Sequence, residues 1–236
     1  MKNILAVIPA RGNSKSIKNK NIKLLFGKPL IYYSISIAKR SKLINKIIVS
    51  SDSKKIIYIA KKYGAEAPFV RSKELSKDSS EDYGVFLHCL EWLRKNENYI
   101  PDLIVHLRPT YPIRSVKIVN KAIKFALKKK NYDCIKSVCE PFQNPYKMWL
   151  LNNNNFLKPL LGSFKKELYN SPRQKLKKTF WQNTYLDIIK YNTIKKKGSM
   201  TGKKIIPFIL PSNTIFDIDD EFSFKMIKEV FKKNYK

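Results

Sequence analysis

Four segments carry residue types and spacings that suit chemistry. The first is Pro9-Ala10-Arg11-Gly12-Asn13-Ser14-Lys15-Ser16-Ile17-Lys18-Asn19-Lys20-Asn21. Gly12, Ser14 and their neighbouring backbone N–H groups, with Arg11 and Lys20 as fixed cations, suit a polyphosphate. Neither GxxxxGK[ST] nor GxGxxG is present, and a solvated basic loop stays open as the alternative. The second segment is Asp217-x-Asp219. Two carboxylates alternating on an extended stretch can share a hard cation such as Mg²⁺. With Asp220 and Glu221 they equally suit a helix N-terminus. The third is Leu107-Arg108-Pro109-Thr110-Tyr111-Pro112-Ile113-Arg114, where two prolines stiffen a turn and present two arginines. A structural turn and an anion site fit it equally. The fourth is Ser171-Pro172-Arg173-Gln174, with Trp181-Gln182-Asn183 shortly after. An arginine followed by side-chain amides suits a carboxylate-bearing, hydroxyl-rich ligand. His88 and His106 read as hydrogen-bonded core residues, and no Ser/His/Asp or Cys/His nucleophile set assembles.

The elements that must position these segments follow from burial periodicity. Residues 2–8 are a short apolar run ended by Pro9; they pass straight into Arg11 without a cleavage site and read as a first strand, not a leader. Pro29 opens a helical pattern, LIYYSISIAKR. Residues 47–49 read as a strand ending in Ser50-Ser51-Asp52, 53–63 as a helix stopped by Gly64, and 67–70 as a brief strand. A helix over 81–95 places Phe86, Leu87, Leu90 and Leu93 on one face. A strand at 103–107, a helix at 115–129 and a strand at 133–138 follow. Residues 140–183, with four prolines, four consecutive asparagines and bulky aromatics, break the rhythm and read as an arm inserted in a single domain of 1–236. Strands at 185–189 and 205–210 and a helix at 221–233 complete the chain. This alternation predicts an α/β fold with a doubly wound, mostly parallel sheet. Ligands of such sheets bind at the carboxyl ends of strands, where the first and third segments lie.

Composition excludes several classes. With 43% hydrophobic residues in 236, the chain is no disordered basic tail. No apolar run approaches the roughly 18 residues of a membrane span. Cys89, Cys134 and Cys139 form no CxxC or Cys/His spacing, so neither a disulfide framework nor a zinc site is indicated, and a reducing cytoplasm is expected. The net charge of +30 invites a nucleic-acid reading, but 41 of the 48 basic residues are Lys, spread along the chain. Base and phosphate readers favour Arg. Lys, Asn and Ile, all with A/T-rich codons, number 41, 19 and 28, which points to compositional drift. Neither nucleic acid nor membrane is expected as a partner, and Lys128–130 and Lys195–197 read as solvated helix ends.

Residues 8–21 (IPARGNSKSIKNKN), 49–53 (VSSDS), 107–114 (LRPTYPIR), 172–174 (PRQ) and 216–224 (FDIDDEFSF) together resemble the bacterial CMP-sialic acid synthetases, the acylneuraminate cytidylyltransferases. The resemblance spans nearly the whole chain in order. It implies a Rossmann-like fold with residues 140–183 as a dimerisation arm, and a cytoplasmic homodimer. It implies that CTP and an acidic nine-carbon 2-keto sugar give the CMP-sugar and diphosphate, with Mg²⁺. On the same basis Arg11, Gly12, Ser14 and Lys20 would bind the triphosphate. Asn21 and Arg71 would hold ribose and cytosine, with Ser79 and Ser80 lining that pocket. Asp217 and Asp219 would bind the metal, and Arg108, Arg173, Gln174 and Asn183 the sugar acid. Arg11 and Lys20 would neutralise charge in the reaction, and Asp217 would take the hydroxyl proton.

Three departures bear on the sugar, one of them the segment Gly198-Ser199-Met200-Thr201-Gly202 with Trp181, which is unlike the best-known members. Asn13 replaces a usual glycine, which asparagine's tolerance of left-handed geometry accommodates, and Arg108 stands where Gln is common. They leave sialic, legionaminic and pseudaminic acids open. The alternative sugar is 3-deoxy-manno-octulosonate, against which the first loop and the aspartate pair argue; the alternative class is a basic nucleic-acid-binding protein. Dispersed lysine predicts only weak, salt-sensitive binding of duplex or single strands; a retained complex at ~150 mM salt in a filter-binding titration would contradict it.

Overall fold

Ile4–Pro9 (β1) buries every side chain but the last, so this strand must be covered on both faces and paired on both edges. In the computed structural model, which describes residues 2–214 and 216–234, it is. From β1 the chain passes a small hairpin of β2 (Leu24–Leu25) and β3 (Lys28–Pro29) into α1 (Leu30–Arg40). It continues through β4 (Lys46–Ser50), α2 (Lys54–Lys62), α3 (Asp82–Glu97), β5 (Leu103–His106), α4 (Val116–Lys128) and β6 (Cys134–Cys139). The arm carries β7 (Trp149–Leu151) and β8 (Leu157–Pro159). The chain returns through β9 (Trp181–Lys190), α5 (Tyr191–Lys195), β10 (Ile205–Ile209) and α6 (Glu221–Asn234).

The main sheet has the order β10-β6-β9-β5-β1-β4. β1 pairs parallel with β4 and β5, and β6 with β10. β9 is antiparallel to both its neighbours, which keeps the sheet mostly parallel as the alternation predicted. Alternate residues of β1 feed two cores. Ile4, Ala6 and Ile8 pack with residues of α1, α2 and α4 on one face. Leu5 and Val7 pack with Phe86, Leu90 and Leu93 of α3 on the other. A third cluster lies outside this sandwich: Ile17, Leu25 and Leu30 against Ile218, Phe224, Ile227 and Phe231.

Several local expectations change. Residues 67–70 form no strand; only the single bridges Ile48 to Glu66 and Ser51 to Val70 occur there. Trp181–Asn183, read as the end of the arm, already belong to β9. That strand bulges: from Lys136 to Val138 on β6, its partners run from Asp187 back to Gln182. Thr184 takes φ 56° inside the bulge, an uncommon backbone state for a β-branched residue. Lys195 and Lys197 are not simply solvated, because they pair with Glu91 and Asp133, each at 2.6 Å.

Asp133 ties the segment after α5 to the sheet. Its carboxylate accepts from Lys197 Nζ at 2.6 Å and from the backbone N–H groups of Lys203 and Lys204 at 2.9 and 3.1 Å. Gly202, at φ 63°, permits this approach, since a Cβ there would run into the carboxylate. Lys197 and the Lys204 N–H hold the Asp133 carboxyl down at about 2, against an ordinary 3.8. A depressed carboxyl stabilises the fold above its unfolded value and loses that contribution as pH falls through its folded one. Asp133→Asn is therefore expected to lower Tm at pH 7, with the gap from the unsubstituted protein closing between about pH 4 and pH 2 in acid-titrated thermal melts.

Candidate active site

The carboxyl ends of β1 and β5 open into a cleft of about 550 Å³. The chain leaves β1 in one direction to reach β4 and later returns on the other side as β5, so the loops diverge here, as at other switch points. Arg11, Ser14, Lys20, Asn21, Arg71, Ser80 and Arg108 line the cleft.

The first loop is held by the turn after β4. Gly12 N–H donates to Asp52 Oδ1 at 2.8 Å, and a Cβ on Gly12 would stand 2.9 Å from Ser53 Cβ, so only glycine lies this close. The left-handed residue of the loop is Asn19, at φ 55°, and not Asn13. Asn21 is buried and donates to the Arg11 carbonyl at 2.8 Å, bracing the loop from within. Asp78 meets both Arg11 Nη1 and Lys15 Nζ at 2.7 Å, which brings the segment before α3 across the loop. Arg71 is 4% exposed, donates to Ser76 Oγ at 3.0 Å and lies 3.7 Å from Asp52. Ser80 donates to the Glu74 carbonyl at 2.6 Å, whereas Ser79 is exposed and does not line the cleft.

The acidic segment separates into two roles. Ser223 N–H donates to Asp220 Oδ1 at 2.7 Å, so Asp220 caps α6 and leaves Asp217 and Asp219 for other work. Lys20 Nζ donates to the carbonyls of Ile218 at 3.0 Å and Asp219 at 3.4 Å. Burial lowers the Lys20 pKa, against the pull of Asp219 and Asp217. Burial, then the like charge of Asp217, raises that of Asp219. Asp217 Oδ1 is buried with no hydrogen-bond partner among the described residues. Two neighbouring carboxylates, one with an orphaned oxygen, are a donor set that fits a divalent cation. Among the described residues no group of three or more His, Cys, Asp or Glu is arranged to hold a metal.

The two arginines of the proline turn part company. Arg114 is buried and donates to the carbonyls of Tyr185 at 2.6 Å and Arg108 at 2.9 Å, to that of Tyr111, and to Ser34 Oγ at 3.0 Å. It locks the turn. Arg108 faces the cleft, 3.1 Å from Asp187 Oδ2 and 3.4 Å from Asp82 Oδ2. His106 is buried in the core as read, but among the described residues neither ring nitrogen has a hydrogen-bond partner, and His88 Nδ1 has none either. Burial, then Arg108, pushes the His106 pKa well below 6.5, so the ring is neutral.

Arg173 and Gln174 are not brought to the cleft. They line a separate hollow of about 290 Å³ beside Glu140, with Arg173 3.8 Å from that carboxylate. Asn183 is buried, and its amide bonds Thr214 Oγ1 at 3.2 Å and the Tyr185 N–H at 3.3 Å. The sequence reading missed Asp78, Asp82 and Asp187. Asp187 left a signal, a carboxylate inside the apolar run Tyr185-Leu186-Asp187-Ile188-Ile189, because an acid in a core strand needs a cation nearby.

Residues 5–204 match the sequence family described as cytidylyltransferase. The pseudaminic acid cytidylyltransferase of Campylobacter jejuni is 34% identical over 242 residues, covering 100% of this chain and 98% of that protein. The CMP-N,N'-diacetyllegionaminic acid synthase of the same species is 33% identical, covering 97% of this chain and 94% of that protein. Among solved structures, CMP:2-keto-3-deoxy-manno-octonic acid synthetase complexed with CTP aligns with a TM-score of 0.71 over 98% of this chain and 99% of that one, at 13% identity. That likeness is one of fold alone.

The division of labour among the aspartates predicts opposite stability effects. Asp220→Ala removes a cap and is expected to cost about 1 kcal/mol, or ~2–4 °C in Tm. Asp219→Asn relieves the like charge beside Asp217 and is expected to leave Tm unchanged or slightly raised, as read by differential scanning calorimetry.

Proposed function

We infer, from the premise that the chain belongs to the cytidylyltransferase family, that it activates an acidic nine-carbon 2-keto sugar with CTP, giving the CMP-sugar and diphosphate. The observation that carries this reading is the place of Lys20: it lines the cleft with Arg11, bonds the Ile218 and Asp219 carbonyls, and feels the charges of Asp217 and Asp219 at the cleft's edge. Arg11, Ser14 and Lys20 bind and orient the triphosphate, while Gly12 lets the loop backbone approach it. Asn21, Arg71 and Ser80 are assigned to the nucleoside, and Ser79, which does not line the cleft, is not. Asp217 and Asp219 would hold Mg²⁺, which would supply positive charge to the phosphates. The sugar hydroxyl forms its bond to the α-phosphorus in line as the bond to the β-phosphate oxygen breaks, and diphosphate leaves. Asp217 takes the hydroxyl proton. Most of the acceleration asked of the protein is positioning and charge neutralisation.

The relatives named act on pseudaminic and N,N'-diacetyllegionaminic acids, and we assign this chain an acid of that class. The arm supports a homodimer, since Phe142, Leu151, Phe156, Leu157 and Phe164 are all more than half exposed. Arg173 and Gln174 ride on that arm, so their part in sugar binding depends on the second copy. Three buried, unpaired cysteines support a reducing, cytoplasmic setting. No helix among the described residues is long and apolar enough to cross a membrane.

Diphosphate release from CTP and Mg²⁺ is expected with at least one acid in a panel of sialic, legionaminic and pseudaminic acids. Arg11→Ala and Asp219→Ala are each expected to lower kcat on the order of 100-fold. Silence with the whole panel, or unchanged release from Asp219→Ala, would sink the assignment, and turnover of 3-deoxy-manno-octulosonate alone would move it to that sugar.

A further inference from the structure

Asp187 stands on β9 between His106 of β5 and Lys136 of β6, all three on the sheet face that α3 covers. It is 2% exposed. Its Oδ2 lies 3.1 Å from Arg108 Nη1, 3.6 Å from Lys136 Nζ and 3.8 Å from His106 Nδ1. A carboxylate buried this deeply costs several kcal/mol unless cations face it. Arg108 and Lys136 are those cations, and the neutral His106 adds no charge. Two positive charges against one negative leave a single positive charge beside the cleft. Asp82, the first residue of α3, cancels it from the solvent side.

The two carboxylates hold Arg108 unequally. The contact with Asp187 is 3.1 Å and that partner's side chain is 3% exposed, whereas the contact with Asp82 is 3.4 Å and its side chain is 45% exposed. A half-exposed ion pair contributes roughly 0–1 kcal/mol. An incoming carboxylate can take the arginine's planar fork through two parallel hydrogen bonds, a stronger arrangement than the single contact it replaces.

We propose that Asp187 is a positioning residue that sets Arg108 as the receptor for the substrate's carboxylate, and that Asp82 is a stand-in anion which that carboxylate displaces. The inference deepens the acid-sugar reading and rests on it. It predicts opposite signs for two neighbouring acidic residues. With N,N'-diacetyllegionaminic acid and CTP as substrates, Asp82→Asn removes a competitor and lowers KM for the acid by up to about fivefold. Asp187→Asn loosens Arg108 and raises that KM about tenfold. Both leave KM for CTP within about twofold, a split that general loosening of the fold would not produce. A raised or unchanged acid KM in Asp82→Asn, or acid and CTP KM values moving together, overturns the proposal. If Asp187→Asn does not fold, Asp82→Asn still gives the sign, because it alters only a half-exposed side chain at a helix start. Failure of the reaction itself is distinct: the unsubstituted enzyme releases no diphosphate. In that case calorimetric titration of the acid alone reads the same ordering of affinities, and its absence overturns the proposal.

Discussion

The hydrogen bond from Lys20 Nζ to the Ile218 carbonyl joins residues 198 positions apart and unites the two halves of the site. By itself such a bond contributes only about 1 kcal/mol, and it must hold a half-buried ammonium near mutually repelling carboxylates. Its geometry is secured from below. Ile17, Leu25 and Leu30 of the first loop and hairpin pack against Ile218, Phe224, Ile227 and Phe231 of the last segment and α6. Full burial of a side chain of this size contributes roughly 1.5–3 kcal/mol, so the cluster outweighs the electrostatic cost above it. The packing of the final helix thus sets where Asp217 and Asp219, just before it, stand relative to Lys20 of the first loop.

Charge in the cleft is organised differently from charge on the rest of the chain. Only 18 residues are acidic against 48 basic, yet Asp52, Asp78, Asp82, Asp187, Asp217 and Asp219 all gather around this region. Each holds or faces a cation: Asp78 holds Arg11, Asp52 faces Arg71, Asp187 and Asp82 hold Arg108, and Asp217 and Asp219 face Lys20. Cations set in this way are ordered before a ligand arrives, which lowers the entropy lost on binding. The exposed partners, such as Asp78, give the site anions that a substrate's own charge can replace. The large lysine excess lies mainly outside this arrangement, and its local uses are structural, as in the clamp of Lys197 on Asp133.

Much of the fold was legible because burial is local and periodic. The unbroken apolar run of β1 and the one-sided pattern of α3 each state what must cover them. The first loop was legible as a place, because it follows the carboxyl end of a buried strand, and the structure puts Arg11, Ser14, Lys20 and Asn21 on the cleft wall there. The less legible parts depend on choices between equivalent local options. Arg108 and Arg114 flank the same proline turn, yet one meets the cleft and the other is locked among four oxygen acceptors. Asp219 and Asp220 were interchangeable as caps until Ser223 bonded Asp220. The antiparallel direction of β9 follows from how the arm returns, which a five-residue apolar run does not encode.

The sequence alone determined the main alternation of strands and helices, though not the short hairpins, α5 or the absence of a strand at 67–70, together with the strand ends at which the loops fall and the residue types those loops present. Tertiary structure decided which carboxylate answers which cation. Asp187 meets Arg108 through strand register, and Lys20 meets Asp219 through packing of the two chain ends. Electrostatic coupling depends on distance and local dielectric in the folded molecule, and separation along the chain carries neither.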